Sequence, residues 1–229
     1  VGLSLNKNTF KMKIVYYGYR EWSFKIFNKL KITKKYLVTH KDYNLIGDIK
    51  PDLVFFVGWS DIIPKHIIQN NLCVCLHPSP LPKYRGGSPI QNQLLKNEKN
   101  SMVSLFVMDN GIDTGDILFQ SPISLNGELE DIFNQIIKEG IKGVNFIVDN
   151  LEEIPTFRKK QDLNAGSFFK RLKPSDSEIK AEDFTKYPAE YFYNKIRGLN
   201  SPYPNAYIKC KNGEKLYITK TKCETKKYS

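Results

Sequence analysis

Histidine and cysteine are scarce in this chain. The only imidazoles are those of His40, His66 and His77, and the only thiols are Cys73, Cys75, Cys210 and Cys223. Cys73 and Cys75 alternate along one predicted strand and the other two lie in a separate region, so the set reads as four reduced thiols rather than a disulfide framework. Cys-x-Cys on a strand is poor ligand spacing for zinc, and with so few imidazoles no metal site is expected. Long apolar runs are missing too: none approaches the ~20 residues that a bilayer-spanning helix needs. The opening Val1 to Phe10 has neither the apolar core nor the cleavage site of a secretory signal, and Met12 reads as the original start, with the residues before it an extension. A cytoplasmic protein, with no membrane partner, is the resulting expectation.

Charge is abundant and uneven. The net charge is +11, and from Thr156 onward 17 Lys and Arg stand against 8 Asp and Glu, which leaves only +2 for residues 1 to 155. A basic tail section suits an anionic partner, although lysine is plentiful along the whole sequence, as a compositional habit of the source would also produce.

The 229 residues are enough for one substantial core. Lys13 to Gly18 is a short apolar strand, Trp22 to Leu30 has helical spacing with Trp22, Ile26 and Leu30 on one face, and Tyr36 to Thr39 returns as a strand. Leu53 to Val57 is a near-continuous apolar run of the kind that parallel strands bury on both faces, and Leu72 to Leu76 is another. Ser88 reads as an N-cap with Pro89 in the first turn of a helix running to about Lys96. Strands follow at Val103 to Met108 and Ile117 to Ile123. A long amphipathic helix then covers Leu129 to Leu151, weakened but not ended by Gly140 and Gly143. This alternation predicts an α/β fold, a Rossmann-like, mostly parallel sheet flanked by helices over residues 1–155. Residues 156–229 read as a basic connector, a short helix at Ala189 to Arg197 and a β-hairpin turning at Asn212-Gly213, together a small C-terminal appendage.

Two loops hold the chemistry. Residues 77–91 read His-Pro-Ser-Pro-Leu-Pro-Lys-Tyr-Arg-Gly-Gly-Ser-Pro-Ile-Gln, so a strand delivers His77 to its mouth just before prolines at 78, 80 and 82 forbid regular structure. Residues 109–115 read Asp-Asn-Gly-Ile-Asp-Thr-Gly, where Gly111 and Gly115 bracket Asp113 in a turn that can aim its carboxylate inward. A carboxylate so placed orients an imidazole and offsets its charge after it takes a proton, which makes His77 the candidate base. Asp109 has the plainer alternative of capping the turn, Arg85 that of bracing its loop, and Trp59 and Tyr84 that of packing.

The His-Pro-Ser-x-Leu-Pro-x-Tyr-Arg-Gly run followed by Asp-x-Gly-x-Asp-Thr-Gly closely resembles the folate-dependent formyltransferases that use 10-formyltetrahydrofolate. Lys173-Pro174-Ser-Asp-Ser177, Ile196-Arg197, and Pro202-Tyr-Pro-Asn-Ala206 look like the family's lysine-proline-x-x-serine connector, helix end and strand start, so the resemblance covers roughly residues 12–220. The family places an asparagine two residues before its histidine; here Cys75 stands in that position. A thiol is a weak donor to a developing oxyanion where an amide is a good one.

The resemblance implies a transferase with His77 and Asp113 as its catalytic pair and Cys75 in place of the third member. Oxyanion donors then have to come from protonated His77, from backbone N–H groups near Gly86 to Ser88, or from Asn92. Folate-contacting positions would be Arg85, Gly86, Gly87, Ser88, Pro89, Ile112 and Gly115. Methionyl-tRNA formyltransferases carry about a further hundred residues as a C-terminal barrel, and this chain stops after one hairpin. The resemblance therefore points to the sugar-nucleotide N-formyltransferases, whose acceptor is the primary amine of a dTDP- or UDP-linked amino sugar, rather than to nucleic acid. Gly58 to Pro64 looks like a segment of that subgroup. Tyr191, Phe192, Tyr203 and Tyr207 would then make a homodimer interface. Two other readings stay open: a 10-formyltetrahydrofolate hydrolase using the same pair, and a folate- or nucleotide-binding relative without catalysis.

Overall fold

The computed structural model describes residues 12–224; the reading of Met12 as the start concerns an N-terminal extension that lies outside them. A six-stranded sheet is built from β1 (Lys13–Tyr17), β2 (Lys34–Val38), β3 (Leu53–Val57), β4 (Cys73–His77), β6 (Asn100–Val107) and β7 (Ile117–Ser124); the two-residue β5 (Arg85–Gly86) stands apart from it. Its spatial order is β2-β1-β3-β4-β6-β7. The first four strands pair in parallel and the last two run antiparallel, β6 against β4 and β7 against β6.

β3 shows why a continuous apolar run is a strand here. Its residues alternate between two cores: Leu53, Phe55 and Val57 face one, and Val54 and Phe56 face the other. The first core is closed by α1 (Glu21–Asn28), by α4 (Pro89–Leu95) and by the long α5 (Leu129–Asp149), which presents Ile132, Ile136, Val144 and Ile147 inward. The second lies under α2 (Asn44–Ile49) and α3 (Lys65–Asn70). Gly140 and Gly143 are what let α5 lie close: a Cβ on Gly140 would come within 2.6 Å of Ile26, and one on Gly143 within 2.5 Å of Leu105. The cost in helix propensity is offset by that packing.

After α6 (Ile154–Phe157) the chain returns to the sheet. Lys159 exchanges two 2.8 Å backbone hydrogen bonds with Ile117, and β8 (Phe168–Phe169) pairs in parallel with β5. α7 (Ala189–Gly198) packs on α4. The hairpin of β9 (Ala206–Lys209) and β10 (Lys215–Ile218) supplies Ala206 to a third cluster with Ile179, Phe192 and Ile196. Arg197 is 5% exposed and fastens this region to the body: Nη1 donates to the carbonyls of Leu125 at 2.7 Å and Gly127 at 2.6 Å, while Nε and Nη2 donate to Asn194 Oδ1.

The aromatics expected at a dimer interface make contacts within the chain. Phe192 and Tyr207 are buried, Tyr203 stacks on Phe133, and Tyr191 stacks on Tyr187. The exposed large side chains of this region are Phe184, Tyr187, Leu216 and Tyr217. Among the described residues no helix is long and apolar enough to cross a membrane.

Candidate active site

Parallel strands end on a common edge, so the residues that follow β1, β3 and β4 meet there. Open α/β sheets bind ligands at this carboxyl edge, where the strand order switches direction. In this sheet the switch falls between β1 and β3.

His77 is the last residue of β4 and is 6% exposed. Its Nε2 lies 2.8 Å from the carbonyl oxygen of Tyr84. A carbonyl only accepts, so Nε2 carries the hydrogen and Nδ1 is the nitrogen left to take a proton. Nδ1 faces Asp113 Oδ2 at 3.6 Å, an ion-pair distance longer than a direct hydrogen bond. The same Oδ2 accepts the Gly86 N–H at 2.8 Å. Asp113 thus ties the histidine strand to the glycine loop.

Three non-glycine residues around this point hold left-handed backbone: Tyr84 at φ 60°, Ser88 at φ 50° and Asp113 at φ 55°. Each such conformation costs on the order of 1 kcal/mol or more and persists only where surrounding contacts fix it. At Asp113 the turn is closed by Asp109, whose Oδ1 accepts from Gly111 N at 2.9 Å and Thr114 Oγ1 at 2.6 Å. Asp109 therefore does cap this turn. From outside the loop, Gln161 Nε2 donates to the carbonyls of Asp113 at 3.0 Å and Gly115 at 2.7 Å.

Several expected ligand-facing groups are already engaged. The Gly86 N–H serves Asp113, the Gly87 N–H donates to Phe169 O at 2.9 Å, and the Asn92 amide donates to Gly87 O at 2.8 Å. Of the expected oxyanion donors these three are engaged within the protein, which leaves protonated His77, the Ser88 N–H and the second amide hydrogen of Asn92. Gly86, at φ 94°, has room for no side chain, since a Cβ would lie 2.2 Å from Phe169 O; Gly115 would put one 1.7 Å from Val107 O. Both are glycines because backbone packs on them. Ser88 occupies the N-cap position of α4, yet its side chain makes no capping bond; with φ positive its Oγ instead accepts Leu172 N–H at 3.2 Å. Pro89 opens α4 as expected. Arg85 is half-buried with Nε lacking a hydrogen bond, and Ile112 stands 54% exposed at the tip of the aspartate loop.

Cys75 shares the face of β4 with His77, flanked in register by Phe56 and Phe106. Burial pushes its thiol well up from its usual range, and the Asp113 charge adds to that, so the group stays protonated. Its Sγ finds only Leu76 O at 3.7 Å. Two contributors carried no signal in the sequence. The Tyr84 carbonyl is backbone and independent of residue type, and Gln161 sits far down the chain after two lysines. Among the described residues no group of His, Cys, Asp and Glu is gathered to hold a metal.

A Rossmann-like sheet with an imidazole, a carboxylate and a glycine loop joined at its carboxyl edge defines an α/β protein with a candidate site at that edge. The chain belongs to the formyl transferase family: residues 20–144 match its formyl transferase domain and residues 171–229 its C-terminal domain. It is 32% identical over 182 residues to the methionyl-tRNA formyltransferase of Finegoldia magna, covering 78% of this chain and 57% of that protein, so it spans little more than half the length of such curated relatives. A solved methionyl-tRNA formyltransferase from Clostridium thermocellum is 31% identical with a TM-score of 0.69, over 90% of this chain and 97% of that one. HypX from Aquifex aeolicus, solved with tetrahydrofolic acid, shares the fold at 18% identity and TM-score 0.77, over 91% of this chain and 37% of that one. So does a sugar N-formyltransferase from Shewanella sp FDAARGOS_354, at 16% identity and TM-score 0.65, over 94% and 100%.

Proposed function

We propose that this protein transfers a formyl group from N10 of 10-formyltetrahydrofolate to the primary amine of a nucleotide-linked amino sugar. The observation that carries the reading is the join at Asp113, whose carboxylate accepts from Gly86 and faces the one imidazole nitrogen free to take a proton. The neutral amine attacks the formyl carbon, His77 Nδ1 takes the proton that the amine loses, directly or through water, and Asp113 offsets the charge. As the bond from carbon to N10 breaks, that proton goes to N10, and amide and tetrahydrofolate leave. Holding both substrates in line supplies much of the rate. Ile112 offers an exposed apolar contact for the folate, and Arg85 the unpartnered Nε donor.

The acceptor class is supported by charge at the switch point. Arg20, just after β1, donates to Ser60 Oγ at 3.3 Å, and Arg171, just after β8, donates to Ser60 O at 2.9 Å. Arg20 also lies over the rings of Tyr19 and Tyr203. Two guanidiniums drawn to one serine, without a carboxylate partner among the described ion pairs, suit a diphosphate. The sugar N-formyltransferase fold match agrees with this reading.

A second reading, methionyl-tRNA as acceptor, is favoured by the 32% identity to the Finegoldia magna enzyme. Incubation with 10-formyltetrahydrofolate and a panel of dTDP- and UDP-linked amino sugars, with charged methionyl-tRNA in parallel, separates the two. A formylated sugar amine is expected. Formylation of the tRNA alone overturns the acceptor, folate release without a formylated product favours hydrolysis, and binding without turnover favours a non-catalytic relative.

A further inference from the structure

Gln161 is 7% exposed, and its amide is spent in an unusual way. Both hydrogens of Nε2 go to carbonyls of the aspartate loop, those of Asp113 and Gly115 on either side of Thr114, while its own Oε1 is buried with no hydrogen bond. A buried acceptor left without a donor is destabilising. A side chain placed only for stability has little reason to accept that cost.

We propose that Gln161 is the positioning residue of the His77–Asp113 pair, a clamp that holds the aspartate loop in the one backbone conformation that aims the carboxylate at Nδ1. The clamp has an anchor: Lys159, two residues before it, is bonded both ways to Ile117 at the start of β7. It also has something to hold. Asp113 sits at φ 55°, where a side chain is strained, and relaxation of that residue into ordinary backbone would swing Oδ2 away from both Gly86 N and His77. The 3.6 Å gap to Nδ1 leaves the carboxylate little slack for its task. Gly111 and Thr114 brace the near side of the loop through Asp109, but their bonds are internal to it. Among the described residues only the side-chain bonds from Gln161 tie the Asp113 and Gly115 carbonyls to a separate segment.

The inference rests on the formyl-transfer reading for its kinetic consequence, not for the clamp itself. Gln161→Met keeps the length and removes both donors; Gln161→Glu keeps the shape and turns a carboxylate oxygen toward the two carbonyls. Both are expected to lower kcat about tenfold or more, as small misplacements do, with KM for the amine within about twofold. In an Asp113→Asn background the Gln161→Met change is expected to add almost nothing, because residues acting through one another are non-additive. Hydrogen exchange over residues 109–116, read by mass spectrometry, should accelerate in Gln161→Met while the β3 and β4 peptides stay protected. Full additivity in the double variant, or unchanged exchange over the loop, overturns the proposal. If the wild type formylates no amine, the transfer reading fails separately, and the exchange measurement still decides the clamp.

Discussion

Asp113 Oδ2 stands 3.6 Å from His77 Nδ1 while accepting the Gly86 N–H at 2.8 Å, so one oxygen serves both the base and the loop beside it. Charge and geometry are therefore separable at this residue. Asp113→Asn keeps an oxygen to accept from Gly86 and removes the charge that offsets an imidazolium. It should lower kcat with the fold intact, and His77→Asn should lower it by about 10²–10⁴-fold, the usual worth of a general base. Steady-state formylation kinetics with a melting curve for each variant check both; near-normal turnover in His77→Asn would remove the base assignment.

Cys75 stands where the family has asparagine, on the same strand face as His77. Cys75→Asn should raise kcat, by up to about 10²-fold if it restores one oxyanion donor. The wider amide between Phe56 and Phe106 should at the same time cost about 1–3 kcal/mol by overpacking. Single-turnover rates and thermal melts read these two effects independently. A destabilised variant no faster than wild type means that the missing amide does not limit the reaction.

The four thiols should divide two and two. Burial pushes Cys73 up to about 12 and Cys75 well up from the ordinary thiol range, so neither forms thiolate at pH 8. Cys210 is exposed and Cys223 half-buried. A disulfide reagent at pH 8 should titrate two thiols in the native protein and four after denaturation.

Arg197 carries the attachment of α7 to the turn between β7 and α5. Replacing it with methionine keeps much of the volume but leaves the Leu125 and Gly127 carbonyls and Asn194 Oδ1 without their donor. At about 1–3 kcal/mol for each orphaned buried acceptor, this should be among the more destabilising single changes in the chain. Urea unfolding is the measurement, and a midpoint like that of wild type would show the contacts to be dispensable.

Glu139 gives stability a pH dependence. Burial alone would raise its carboxyl, but the hydrogen bonds from Lys142 and Ser121, helped by the charges of Lys142 and Lys138, outweigh it and hold the group below its usual range. A depressed folded-state value means that the contribution is present above the unfolded carboxyl's range and lost as the pH falls through the folded value. The stability gap between wild type and Glu139→Gln should therefore be open at pH 7 and narrow on acidification, as urea titrations at several pH values would show.

Much of the fold was legible because its signals are local. The run Leu53–Val57 is apolar at every position and becomes a strand buried on both faces; the stripe of Ile132, Ile136 and Ile147 becomes the buried face of α5. Ser88 shows where local rules stop. A serine before a proline reads as a capping residue, but β5 pairing with β8 brings Leu172 to its hydroxyl and turns its backbone left-handed. Likewise Tyr191, Phe192, Tyr203 and Tyr207 look like spare aromatic surface until the hairpin and α5 fold against them.

The sequence by itself determined the sheet, its helices and the two loops that hold His77 and Asp113, because periodicity, prolines and glycines act over a few residues. Only the tertiary structure decided which nitrogen of His77 is free, that Gly86 and Asn92 are already engaged, and that Gln161 reaches back to the aspartate loop. Those depend on backbone carbonyls and on contacts across as many as 48 positions of chain, and such contacts exist only once the strands have paired and set the segments side by side.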